Sequence, residues 1–336
     1  MIRLAWRQFR TEATVGIGVL VVVAVVLAVT GPHLVSVYRT APSQLSSTYS
    51  TLQGTLPPLL LIAPALLGIF FGAPLIAREL ETGTYRLAWT QSATRSRWLV
   101  TKLALVGLVS SLLAGGLSLM VAWWANPLNI MNENRFSPAN FGVFGIVPFG
   151  YALFAFALGA TTGLLFRRSL PAMATTLVGY VGARYAVTYW LRPHFQAPLH
   201  MTEALTAASS YGFTQTSAGL SMAAYPPSTP NAWALSAAIV DKAGHAPTSR
   251  FLERACSTLA APPGTRRVGG GPYAHPVDSG SMQACIGHVA AKFHEVVTYQ
   301  PAGRYWPFQI YETAFFVVLA LALAGLSFWW IRKRLT

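Results

Sequence analysis

The chain has 336 residues, 53% of them hydrophobic and only 10% charged, where soluble domains carry roughly a quarter charged residues. Lys and Arg number 24 against 10 Asp and Glu, a net charge of +14 at pH 7. This composition excludes an ordinary soluble domain, and the placement of the charge excludes a nucleic-acid patch. Thirteen of the 24 cations flank apolar runs in short segments: Arg3, Arg7, Arg10, then Arg78, Arg86, Arg95, Arg97, Lys102, then Arg167, Arg168, then Arg332, Lys333, Arg334. The alternate short loops, 39–55 and 126–140, hold only Arg39 and Arg135. That asymmetry is the positive-inside bias of a multi-pass membrane protein.

Residues 1–13 are amphipathic, with Ile2, Trp6, Phe9 and Ala13 on one helical stripe and Arg3, Arg7 and Arg10 on the next. The apolar run that follows, Val15 to about Tyr38, is too long for a signal peptide. An interfacial helix on the inner leaflet fits, either as a contact for a partner or as a plain anchor. Five further apolar runs follow, at about 56–77, 99–125, 141–166, 171–190 and 308–331. Each reaches or approaches the roughly 20 residues that cross a bilayer. The second carries Pro57, Pro58, Pro64 and Pro74 with Gly68-x-x-x-Gly72. It reads equally as a pathway-lining or subunit-contact helix and as an ordinary kinked span.

Between the second and third runs, 78–98 is charged and partly helical, with Leu80, Thr84, Leu87 and Ala88 at helical spacing and Gly83 as a break. Arg78-Glu79-Leu80-Glu81-Thr82-Gly83-Thr84, then Ser92-Ala93-Thr94-Arg95 and Lys102, resembles the E-x-E-x-G-T…R…K pattern of type-2 ABC exporter permeases. The resemblance implies that this segment faces the cytoplasm and docks onto the ATPase subunit. Glu79, Glu81, Gly83, Thr84, Arg86, Arg95 and Arg97 would then couple ATP hydrolysis to transport. It also implies an N-terminal connecting helix that touches the ATPase.

The fourth and fifth runs are joined by the minimal turn Arg167-Arg168-Ser169-Leu170-Pro171, which makes them antiparallel neighbours. The segment 191–307 falls outside by charge counting and is punctuated by Pro226-Pro227, Pro262-Pro263 and Gly269-Gly270-Gly271. A helix is predicted at about 278–298, with Met282, Cys285, Val289, Phe293 and Val296 along one face, and a short one within 200–224. Cys256 and Cys285 are the two cysteines of the chain, both in this segment, which favours a disulfide. Closing a loop of about 30 residues would remove roughly 3–4 kcal/mol of unfolded-state entropy. The resembled family carries only a short element here.

Chemistry has little foothold. Each of the four lysines follows Thr101, Asp241, Ala291 or Arg332, so no Gly-Lys-Ser/Thr phosphate loop exists, and ATP with magnesium belongs to a partner chain. His294-Glu295 opens like a zinc-protease motif, but Thr298 stands where the second histidine is needed. Cys285, His288 and His294 match no standard zinc spacing. No metal or other cofactor is expected on this chain.

Two ionisable residues lie inside spans, Arg184 in the fifth and Glu312 in the sixth, both roughly 6–9 Å below the outer boundary. They are expected to neutralise one another, as a structural clamp or as an outer gate. Tyr299-Gln300-Pro301-Ala302-Gly303-Arg304-Tyr305-Trp306-Pro307-Phe308-Gln309-x-x-Glu312 resembles the Y-Q-P…R-[FY]-W…Q…E start of the last span in actinobacterial members.

The expected fold is an all-α integral membrane protein. It has six transmembrane helices, both termini cytoplasmic, an interfacial helix over 1–13, spans one to five over 14–190, an external domain over 191–307, and the sixth span with a basic tail over 308–336. The expected function is the permease subunit of an ATP-driven exporter of an amphiphilic or hydrophobic substrate. Its partners are a cytoplasmic ABC ATPase, a second permease copy (identical or paralogous) and the lipid bilayer of a bacterial plasma membrane, with no nucleic acid. The rivals are a non-transporting receptor or assembly anchor that uses its external domain, and an integral membrane enzyme.

Overall fold

The computed structural model describes residues 2–40, 55, 58–83, 94–125, 135–206, 209, 211–216, 219–225, 232–257 and 279–334. The chain divides into two units, Met1–Phe195 with Gly303–Thr336, and Gln196–Ala302.

The first unit is helical. Helix α1 runs unbroken over Ile2–Thr40. The amphipathic stretch and the first apolar run are therefore one helix, because no Gly or Pro stands between Arg10 and Val15 to interrupt it. Helix α2 spans Pro58–Thr82 and contains a wide π turn at Gly68–Gly72. Helix α3 is Arg95–Trp124, α4 Val147–Phe166, and α5 Ser169–Ala186, which continues through a π turn (Val187–Leu191) into a 3₁₀ turn (Arg192–His194). A single turn, Pro138–Phe141, precedes α4.

The apolar stretches Thr14–Val37, Pro58–Thr82, Arg97–Trp124, Val147–Phe166 and Ala302–Lys333 are long and apolar enough to cross a membrane. The expected fifth span, α5, is less apolar than these, because one stripe of it carries Thr176, Tyr180, Arg184 and Thr188.

Helix α4 is the centre of this unit: 72% of its most apolar window is buried, against 11% for α1. It packs against α2, α3, α5 and the last helix. The contact with α2 is made by small residues. A methyl group on Gly159 would sit 2.3 Å from the Gly68 carbonyl oxygen, and one on Gly68 would sit 2.6 Å from that of Ala155. Between lipid-facing helices the hydrophobic effect gives little drive to associate, so close backbone approach and interhelical hydrogen bonds hold the bundle. The Gly68-x-x-x-Gly72 pair thus packs on α4 of its own chain. Thr162 bonds Thr176 of α5 at 2.9 Å, and Thr161 bonds Ser327 at 2.9 Å.

The second unit corrects the all-α expectation. It holds β1 (Leu199–Ala204), β2 (Tyr211–Thr216), β3 (Gly219–Ala224), β4 (Trp233–Val240), α6 (Ser249–Ala255), α7 (Ser279–Ala290) and β5 (His294–Gln300). The order β1-β5-β4 makes one antiparallel sheet, and β2-β3 pair separately. Two predicted helices give way here. Residues 200–224 contain strands, and the helix predicted at 278–298 stops at Ala290. Beyond it, Val296, Val297, Thr298 and Tyr299 are β-branched or aromatic and favour a pleated strand. Met282, Cys285, Val289 and Phe293 do gather, in a small core with Leu205, Leu220, Ile239, Leu252 and Cys256. The sulfurs of Cys256 and Cys285 lie at disulfide distance, 1.97 Å. After β5 the chain returns to the first unit as α8, Tyr305–Arg334.

Candidate functional site

Two charged clusters, both within the first unit, organise the helix ends. The first is at the end of α2, which Gly83 terminates in the left-handed conformation (φ 73°) that glycine adopts without strain. One turn earlier, Glu79 forms an ion pair with Lys102 of α3, whose ammonium also lies 4.9 Å from the Trp98 ring centre. Lys102 is only 4% exposed, so this pair ties α2 to α3 from inside the bundle. Glu81 is exposed and reaches a third helix. Its carboxylate accepts from the backbone N–H (3.3 Å) and hydroxyl (3.0 Å) of Ser169, the first residue of α5. Unpaired N–H groups and the positive end of the helix dipole make that terminus a natural seat for a carboxylate. At the start of α3, the Thr94 hydroxyl accepts from the Arg97 N–H at 3.3 Å, an N-cap.

Of the expected coupling set, Glu79, Glu81, Gly83 and Arg97 are thus placed at one end of the bundle. Thr84 and Arg86 lie outside the described residues, and Arg95 is placed only as the first residue of α3. Lys102 is the last residue of the sequence pattern, but its role as the Glu79 partner was not read from it. Ser169 carried no signal beyond standing in a tight basic turn.

The second cluster is centred on Glu312 of α8, which is fully buried. Its partner is not Arg184. Arg192 donates from Nε to Oε2 at 2.7 Å and from Nη2 to Oε1 at 2.9 Å, and the Tyr151 hydroxyl of α4 donates to Oε1. Arg192 also donates to Thr188 at 3.3 Å, and its guanidinium lies over the Phe141 ring at 4.1 Å. The correction has a backbone cause. Helix α5 does not end at residue 190, because its π turn and 3₁₀ turn carry the same face two turns past Arg184 to Arg192. Arg184 instead lies over the Tyr151 ring, 4.3 Å from its centre.

Gln309, one turn before Glu312, ties α8 to the segment ahead of α4. Its Nε2 donates to the carbonyls of Phe141 and Phe144, both at 3.0 Å, and its Oε1 accepts from the N–H groups of Ile146 and Val147, both at 3.1 Å. The run of polar residues at the start of α8 is therefore a set of anchors: Tyr305 bonds the Phe144 carbonyl at 3.3 Å, and Gln309 and Glu312 do the rest.

A family model described as "ABC-2 membrane transporter related" matches residues 17–192, more than half of the chain, from within α1 to Arg192. No curated protein and no solved structure matches the chain. With a bundle of membrane-length helices and the Glu79 and Glu81 anchors in place, the chain belongs to the ABC-2 membrane transporter related family and is a permease of that type.

Proposed function

We infer that the protein is the membrane subunit of an ATP-driven exporter, working as a dimer with two cytoplasmic ATPases supplied by other chains. Helices α1 to α5 and α8 are read as six spans with both termini in the cytoplasm of a bacterium, and residues 2–13 as the cytoplasmic extension of α1, which carries Arg3, Arg7 and Arg10 to the inner headgroups. The carrying observation is that Glu81 accepts two hydrogen bonds from Ser169 while Glu79, two residues earlier, pairs with Lys102. A push on the segment after Thr82 would reach α2, α3 and α5 together, rather than bending one loop. ATP-driven closure of the partner ATPases would tilt those helices and turn an inward-open cavity between two copies outward. The apolar spans and the family support an amphiphilic or hydrophobic substrate.

The test is affinity purification in mild detergent followed by transport in proteoliposomes. An ATPase chain is expected to co-purify, and its absence would remove the reading. Glu81→Ala should leave insertion intact and lower substrate-stimulated ATP hydrolysis about tenfold, within the usual span of coupling energies. Unchanged stimulation and transport would show that Glu81 does not couple.

A further inference from the structure

Helix α5 carries a polar residue at every fourth position along one face: Thr176, Tyr180, Arg184, Thr188 and Arg192. This face looks onto α4 and α8. Thr176 bonds Thr162, the Tyr180 ring packs edge-on to Tyr151 with centroids 6.4 Å apart, and Arg192 holds Glu312. Among the described residues the charge along this face does not balance. Both oxygens of Glu312 are occupied by Arg192, and Tyr151 adds a further hydrogen bond. Among the described residues Arg184 has no carboxylate within ion-pair distance. It is half-buried, with its guanidinium on the Tyr151 ring. Its Nη2 lies close enough to Gly142 that a methyl group there would be 2.3 Å away. Two turns further along the same face, Nη1 of the fully buried Arg192 has no hydrogen-bond partner among the described residues.

Among the described residues, two guanidinium groups lie around one carboxylate, which leaves one positive charge without a carboxylate among packed apolar helices. Such a charge is costly without a counter-charge, and an ionisable group held at that depth marks a site of function. A guanidinium presents a planar fork of N–H donors that fits the oxygens of a phosphate, sulfate or carboxylate. Beside Arg184 the apolar side chains Leu177, Val181 and Tyr185 are left 45%, 54% and 57% exposed on α5, a surface suited to an alkyl chain. We propose that Arg184, backed by Arg192, binds the anionic headgroup of an amphiphile whose tail lies along the exposed side of α5. The occupant is a membrane lipid or an exported molecule of the same chemistry. The proposal requires that α5 and α8 stand in a bilayer; it does not require ATP-driven export.

The test uses the full-length protein in neutral detergent, with no ATPase present, so the outcome is independent of the coupling experiment. Dodecyl phosphate should raise the unfolding temperature saturably, by about 2–4 °C, and dodecyl phosphocholine should not. Arg184→Gln should abolish the shift and Arg184→Lys should keep part of it. Gly142→Ala, which crowds the guanidinium without removing its charge, should weaken it. An equal shift with the zwitterionic detergent, or an undiminished shift in Arg184→Gln, would overturn the proposal. Should Arg184→Gln fail to fold, loss of saturable dodecyl phosphate binding in Gly142→Ala supports the site, and unchanged binding there overturns it. Native mass spectrometry then separates the sources. Phosphatidylglycerol retained by the wild type and lost from the variant assigns a lipid, and binding of added alkyl phosphate alone assigns a transported amphiphile.

Discussion

Two glutamates, one in each unit, are almost wholly buried and live in opposite surroundings. Glu312 of α8 is 0% exposed and receives two hydrogen bonds from Arg192 and one from Tyr151. Glu295 of β5 is 2% exposed, and its Oε1 has no partner among the described residues. The residue opposite it on β1 is Glu203, and on β4 it is Ile239. Burial pushes the Glu295 carboxyl above the usual carboxylate range, and the charge of Glu203 adds to that. One carboxylate is thus an ion-pair partner that holds helices together. The other is a group whose charge works against its own strand pairing. The contrast shows that neither burial nor residue type decides what an acid does; the donors brought to it decide.

Removing a donor from Glu312 should therefore have the largest effect. Arg192→Met leaves a buried carboxylate unpaired and should cost about 3–5 kcal/mol, read as the unfolding temperature in detergent. Combining it with Glu312→Gln should recover most of the loss, because the stranded charge is gone. Arg184→Met should cost much less, since no carboxylate depends on it. Equal losses for the two arginine variants, with strict additivity toward Glu312→Gln, would erase the distinction between the cation that holds Glu312 and the one that does not.

Among the described residues, the second unit has no such ion pair in its core. Its buried apolar cluster is small and includes both cysteines. Breaking the Cys256–Cys285 link should cost about 2–4 kcal/mol and raise the rate of proteolysis within 196–302. A thiol-reactive mass tag applied before and after reductant reads the bond directly. Labelling of both cysteines before reduction would show that this unit holds without it.

The membrane bundle was largely legible in the sequence because apolar run length and basic flanks carry it. The motif singled out Glu79 and Glu81, but their contacts with Lys102 and Ser169 were not legible in it. Arg192 was not, because hydropathy places the end of the fifth span near Leu191 and gives no sign that a π turn continues the helical face. The sheet was hidden for another reason. Strands such as Leu199–Ala204 and Gly219–Ala224 contain no Phe, Tyr or Trp and, apart from Thr202, no β-branched residue, and they lack a sustained alternation of apolar and polar residues. In the helix that ends at Ala290, Val296 fell on the extrapolated helical stripe by coincidence of spacing and belongs to β5.

The smallest effect expected is a pH dependence at Glu295. Its carboxyl in the folded chain binds a proton more readily than in the unfolded chain, so the folded state holds more protons in the pH range between the two. The stabilising contribution is fully present below the unfolded value and is lost as pH rises through the folded one. The β1–β5 pairing should therefore be firmer in acid. Like charges directly opposite on a strand pair destabilise it by about 0.2–1 kcal/mol, which corresponds to a change in amide protection of at most about fivefold. Hydrogen exchange over 294–300, corrected for the intrinsic rate, should show that change between about pH 5 and about pH 7.5. Glu203→Gln should reduce it by removing the opposing charge, and Glu295→Gln should remove it while keeping the shape of the side chain. The flanking His294 faces the other side of the strand, so His294→Gln serves as the control and should leave the pH effect in place. Protection that is flat with pH, or that responds to His294 and not to Glu295, would mean that Glu295 is as well provided with donors as Glu312.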